Sequence, residues 1–111
     1  MIMLAALLAL PTSGFGAPYP HARLETAPEQ HECYVRYRLA TPDTMLQVAG
    51  FYRVEAAHAG VKLLDDSGEK FPAYRNLTFV TQPRLMNVVM GVEGGHTVVR
   101  VNFKTSEAGC S

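Results

Sequence analysis

The chain has 111 residues, 48% of them hydrophobic and 18% charged, which is the size and composition of one folded domain and excludes a disordered chain. Ten Lys+Arg balance ten Asp+Glu, so no global basic field attracts a phosphate backbone, and no nucleic-acid partner is expected.

Residues 1–10, MIMLAALLAL, are uninterruptedly apolar and are followed by PTSGFGA, a helix breaker and then small residues. That layout predicts a secretory signal over 1–16, cut after Gly16, because small side chains then stand at Gly14 and Gly16. The apolar run is far shorter than the roughly 20 residues that span a bilayer, so no membrane span is expected. No Lys or Arg precedes Leu4, so the positive n-region is only the amino terminus, and a buried N-terminal strand or helix is the competing reading. Export implies an oxidising compartment, secreted or periplasmic. There the two cysteines, Cys33 and Cys110, are expected to pair. Closing so long a loop is worth roughly 4 to 4.5 kcal/mol in the chain-entropy picture.

Residues 17–32, including PYPHARLETAPEQ with its three prolines, carry no periodicity and read as an extended lead-in to a single domain over 33–111. CYVRYRL then alternates, with Cys33, Val35, Tyr37 and Leu39 on one face and Tyr34, Arg36 and Arg38 on the other, as a half-buried strand does. The one long helical pattern follows. Thr41 suits its N-cap, Pro42 its first position, Asp43 its positive end, and Gly60 the left-handed cap beyond its last turn. Met45, Val48, Ala49, Tyr52, Ala56 and Ala59 form the stripe that should face the core, widened by Phe51 and Val54. Gly50 sits inside this helix without an evident reason.

After Gly60 the period becomes that of strands: VKLLD, then FPAYRNLTFVT with Pro72 confined to an edge or bulge, then LMNVVMGV and HTVVRVNF. Gly94-Gly95 tolerates the positive φ of a two-residue hairpin turn, and this turn fixes a register. Met90 faces Val99, Val88 faces Val101 and Met86 faces Phe103 on the core side. Outside, Val89 meets Arg100, Asn87 meets Asn102 and Leu85 meets Lys104. A second turn at Gln82-Pro83 extends the same faces to Phe79 and Leu77 inside and Thr78 outside. A one-residue slip would invert every side chain, so the agreement of two turns is a strong constraint.

The resulting fold class is α+β, one long helix packed on a mainly antiparallel sheet in the order β-α-β-β-β-β. That layout resembles the cystatin-like architecture. The letters QVAG at Gln47–Gly50 lack the Q-x-V-x-G spacing of the cystatin inhibitory loop and lie within the helix, so protease inhibition is not implied. YPHA at Tyr19–Ala22 and TPDTMLQVAGFY at Thr41–Tyr52 resemble small exported bacterial domains of unassigned function, a likeness that brings export but no catalytic residues.

No catalytic set emerges from the residues. His21, His31, His58 and His96 lie in a lead-in, a helix end and a turn, without orienting partners in sequence. Asp65, Asp66 and Glu69 lack the alternating ligands of a calcium loop, and His31 with Cys33 falls short of a zinc set, so neither a metal nor another cofactor is expected. Asn76-Leu77-Thr78 matches a glycosylation acceptor but lies inside a strand. The reading is therefore an exported, non-enzymatic binding or interaction module. Its candidate surface is the outer sheet face, with Tyr74, Val89, Val98, Arg100, Leu85 and Val80 meeting a protein partner or a second copy. Two other readings are a small hydrolase-like enzyme with a site assembled in space and a small-ligand binder between helix and sheet.

Overall fold

A computed structural model describes residues 10–11, 13–68 and 73–104. Its elements are β1 (Arg23–His31), β2 (Tyr34–Thr41), α1 (Met45–His58), β3 (Leu63–Asp66), β4 (Tyr74–Thr81), β5 (Arg84–Glu93) and β6 (His96–Lys104). The strands form one six-stranded antiparallel sheet in the order β1-β2-β6-β5-β4-β3, and α1 packs on a single face of it. The fold is thus α+β, with sheet predominating over helix.

The meander has the register its two turns dictate. Met86, Val88 and Met90 of β5 lie opposite Phe103, Val101 and Val99 of β6, and Leu77 and Phe79 of β4 lie opposite Val88 and Met86. All these side chains are buried, joined from the helix by Val48, Ala49, Tyr52 and Ala56 and from β2 by Tyr37 and Leu39. Burial of aliphatic and aromatic groups at roughly 1.5–3 kcal/mol each is the main favourable contribution here.

Two elements differ from the sequence reading. Arg23–His31, assigned to an extended lead-in outside the domain, is an edge strand paired with β2. Its register shifts between Leu24 and Thr26 and again between Thr26 and Glu29, irregularities that bend a strand and that an edge accommodates together with Pro28. The helix starts at Met45, three residues after the expected first position. Its N-cap is Thr44, whose Oγ1 accepts the Gln47 N–H while Gln47 Oε1 accepts the Thr44 N–H, so two orphan amides are satisfied reciprocally. Thr41 Oγ1 instead accepts the Asp43 N–H and closes the turn before the helix. Val54, expected to widen the buried stripe, is 50% exposed because its position turns it away from the sheet.

The segment preceding β1 is anchored to helix and sheet by a directed chain of hydrogen bonds. The Tyr19 N–H donates to Tyr52 Oη (3.2 Å), Tyr52 and Tyr37 hydroxyls meet at 3.0 Å, and Tyr37 Oη donates to the Ala17 carbonyl (3.1 Å). Since Tyr37 gives its proton to Ala17, Tyr52 is the donor of the middle bond. Each buried hydroxyl is thereby satisfied, which removes the cost of burying it unpaired. Burial raises the pKa of both phenols, and a hydrogen bond to the Asp43 carboxylate pushes that of Tyr19 up to about 12. Gly16 lies against the Phe103 ring at φ +89°, where a Cβ would collide with the ring carbons, so glycine is the residue that fits. Ala17 beside it is 1% exposed.

Candidate functional site: the outer face of the sheet

Strand alternation that sends apolar residues beneath α1 sends a polar set to the opposite face. Two rows of side chains cross the strands there. One runs Glu29, Arg36, Asn102, Asn87 and Thr78 from β1 to β4; the other runs Thr26, Arg38, Arg100, Val89 and Asn76. The irregular β1 forms one wall of an open groove over these rows, of about 460 Å³, and Tyr74 of β4 lines it from the other side.

The charge distribution of the groove follows from the register. Arg38 lies directly opposite Arg100, a like-charge pairing that is unfavourable unless carboxylates relieve it. Glu25 does so for Arg38 at 2.9 Å, with Glu93 at 3.5 Å, and Glu25 also takes Arg23 at 3.1 Å. Hydrogen bonds from Arg38 and then Arg23 lower the Glu25 pKa. Arg36 and Arg100 have neither an ion pair nor a hydrogen bond to a side chain among the described residues. Strands β2, β4 and β6 contain no Asp or Glu, and β5 contains only Glu93 at its end, so these cations face a surface whose carboxylates stand at its rim.

The polar floor is uneven. Asn87 Nδ2 donates to Asn76 Oδ1 (2.8 Å), Thr78 Oγ1 (3.1 Å) and the Leu77 carbonyl (3.3 Å), locking that amide. Asn102, between Arg36 and Asn87, has its Oδ1 buried and without a hydrogen-bond partner, alone in this among the described residues. A buried acceptor left unpaired costs about 1–3 kcal/mol.

The structure brings only part of the expected patch together. Tyr74, Val89 and Arg100 line the groove, with Tyr74 47% exposed. Val98 is on the outer face but only 8% exposed, covered in the row it shares with Ala40 and Gly91, so it offers a partner little surface. Val80 and Leu85 pair with each other at the far end of the β4–β5 hairpin, outside the groove, and are half-buried. Arg36, Arg38, Thr26 and Glu29 belong to the site and were missed. The alternation of β2 already placed both arginines on a polar face, but nothing local in sequence places β2 beside β6.

Elsewhere, Asp66 joins Arg75 (2.9 Å) and Arg53 in an ion cluster and accepts the Gly68 N–H (2.8 Å). The Arg75 hydrogen bond holds its carboxyl well below the usual carboxylate range, with Gly68 and Arg53 adding to it. Among the described residues no three His, Cys, Asp or Glu side chains gather as metal ligands. The described part of the chain has no helix long and apolar enough to cross a membrane. Cys33 lies in the β1–β2 turn; Cys110, Glu69, Pro72 and Ser106 lie outside the described residues. Comparison with protein-family profiles, with curated proteins and with solved structures found no match.

Proposed function

We propose that this chain is an exported, non-enzymatic binding module that meets a protein partner through the outer face of its sheet. The observation that carries the reading is the grouping of two arginines that hold no ion pair among the described residues, Arg36 and Arg100, with the orphaned acceptor Asn102 Oδ1 in one groove. Folding alone gains nothing from such an arrangement, whereas a partner that supplies acceptors and a donor there gains on each contact. Val89 and Tyr74 add the apolar contact that interfaces combine with arginine. The side chains between helix and sheet, among them Tyr52, Phe79, Leu77 and Met86, leave that space filled, which favours the outer face over ligand capture inside.

On this reading the signal over 1–16 is removed, Cys33 joins Cys110, and the strand-helix-meander order is a cystatin-like layout extended by the edge strand β1. A chain that begins at Ala17 retains both ends of the tyrosine chain, Ala17 O and Tyr19 N.

Replacing Tyr74, Val89 and Arg100 together with Ser tests the recognition surface. Partner capture from envelope extracts is expected to fall at least tenfold while the melting temperature stays within a few degrees, as for surface substitutions generally. Undiminished capture by the folded variant refutes the reading.

A further inference from the structure

We propose that the outer groove recognises an extended peptide carrying carboxylates at alternate positions. This inference rests on the outer-face reading above and specifies its ligand. Arg36 and Arg100 stand on neighbouring strands two residues out of register, since Arg36 faces Asn102 and Arg38 faces Arg100. Diagonal neighbours of this kind are about 7–8 Å apart. An extended peptide rises about 3.4 Å per residue and directs every second side chain to one side, so carboxylates at alternate positions recur about every 7 Å. The two spacings match. Each guanidinium presents a planar fork of donors suited to a carboxylate, and Arg38 already uses its own on Glu25 and Glu93.

Asn102 Oδ1 completes the match. It lies two residues from Arg100 on β6 and opposite Arg36 on β2, next to both arginines, and it lacks a donor, which reaches this buried atom once the arginine side chains turn to the ligand. A peptide supplies one in its backbone N–H, whereas a simple multivalent anion brings carboxylates without it. Val89, opposite Arg100, offers an apolar contact to the methylene stem of the acidic side chain that reaches Arg100. Glu25, Glu29 and Glu93 around the groove oppose longer polyanions, which would carry charge over them.

The test is fluorescence anisotropy of the exported, oxidised protein with a labelled peptide alternating serine and glutamate. It is run beside a peptide with the same glutamates contiguous, a glutamine-for-glutamate peptide and a single-stranded oligonucleotide. The alternating acidic peptide is expected to bind at least tenfold more tightly than the other three and to weaken as salt rises. Arg36→Gln and Arg100→Gln should each weaken it about tenfold or more, whereas Lys62→Gln, remote from the groove, should not. Equal binding of the contiguous peptide overturns the spacing, and equal binding of the oligonucleotide overturns the peptide. If the glutamine peptide binds as well and the Tyr74, Val89 and Arg100 triple variant releases it, the acidic ligand is refuted and the outer-face reading stands. If no peptide binds, the acidic ligand is refuted and partner capture decides the face. Peptide binding that the triple variant leaves unchanged refutes both.

Discussion

Asp66 shows how a single carboxylate ties the edge strand to the rest of the domain. It accepts from Arg75 on β4 and Arg53 on α1, so three elements converge on one side chain. Because its folded pKa lies below the ordinary value of about 3.9, its stabilisation is fully present above that pH and is lost as pH falls towards the folded value. Asp66→Asn should therefore destabilise the protein by roughly 1–3 kcal/mol at neutral pH. The gap to the parent should close in acid, where the parent loses the same contribution. Urea melts of both proteins at neutral pH and below about pH 4 check this; a gap independent of pH contradicts it. None of this was legible in sequence. The Asp65-Asp66 pair reads as a solvated turn because Arg53 and Arg75 approach only through tertiary packing.

Among elements, the β5–β6 hairpin was fully readable and β1 was not, for opposite physical reasons. Gly94 and Gly95 adopt φ +55° and +79°, the left-handed backbone their turn requires, and strict alternation then leaves one register with an apolar inner face. Arg23–His31 has little apolar patterning to betray it, since its side chains are nearly all exposed and only backbone pairing with β2 makes it a strand. The helix start was misplaced because Thr41-Pro42-Asp43 has the chemistry of a cap, while the Thr44–Gln47 box decides the matter. The register predicts that Val88→Asp unfolds the domain by burying an unpaired charge. Asn87→Asp, which looks silent from the sequence, removes the donor to three acceptors. It should cost an intermediate amount, about 1–3 kcal/mol. Thermal melts that rank Asn87→Asp below Val88→Asp in stability contradict this register. Gly50 offers the converse: a Cβ there meets nothing within 4 Å, so nothing in the packing requires glycine. Gly50→Ala should raise stability by about 0.5–1 kcal/mol in a denaturant melt, and a loss would mean that the helix needs its flexibility.

Across the whole molecule, zero net charge conceals a sorted surface. Composition alone excludes a global basic field, yet the order β1-β2-β6-β5 sets Arg36, Arg38 and Arg100 side by side, a juxtaposition that arises because α1 carries the chain from β2 to β3 at the far edge and the meander β3 to β6 returns to pair with β2. The half of the site built from the meander was therefore legible through Val89 and Arg100, and the half contributed by β1 and β2 was not. The opposite surface is not featureless, since Leu46 on α1 is 70% exposed and Val54 is 50% exposed. A comparison of the two faces separates a partner site on the sheet from one on the helix. Partner capture by the Tyr74, Val89 and Arg100 serine variant is measured beside capture by Leu46→Ser with Val54→Ser, both confirmed as folded. The sheet-face variant is expected to lose capture and the helix-face variant to keep it; loss with the helix-face variant alone would contradict a partner site on the sheet.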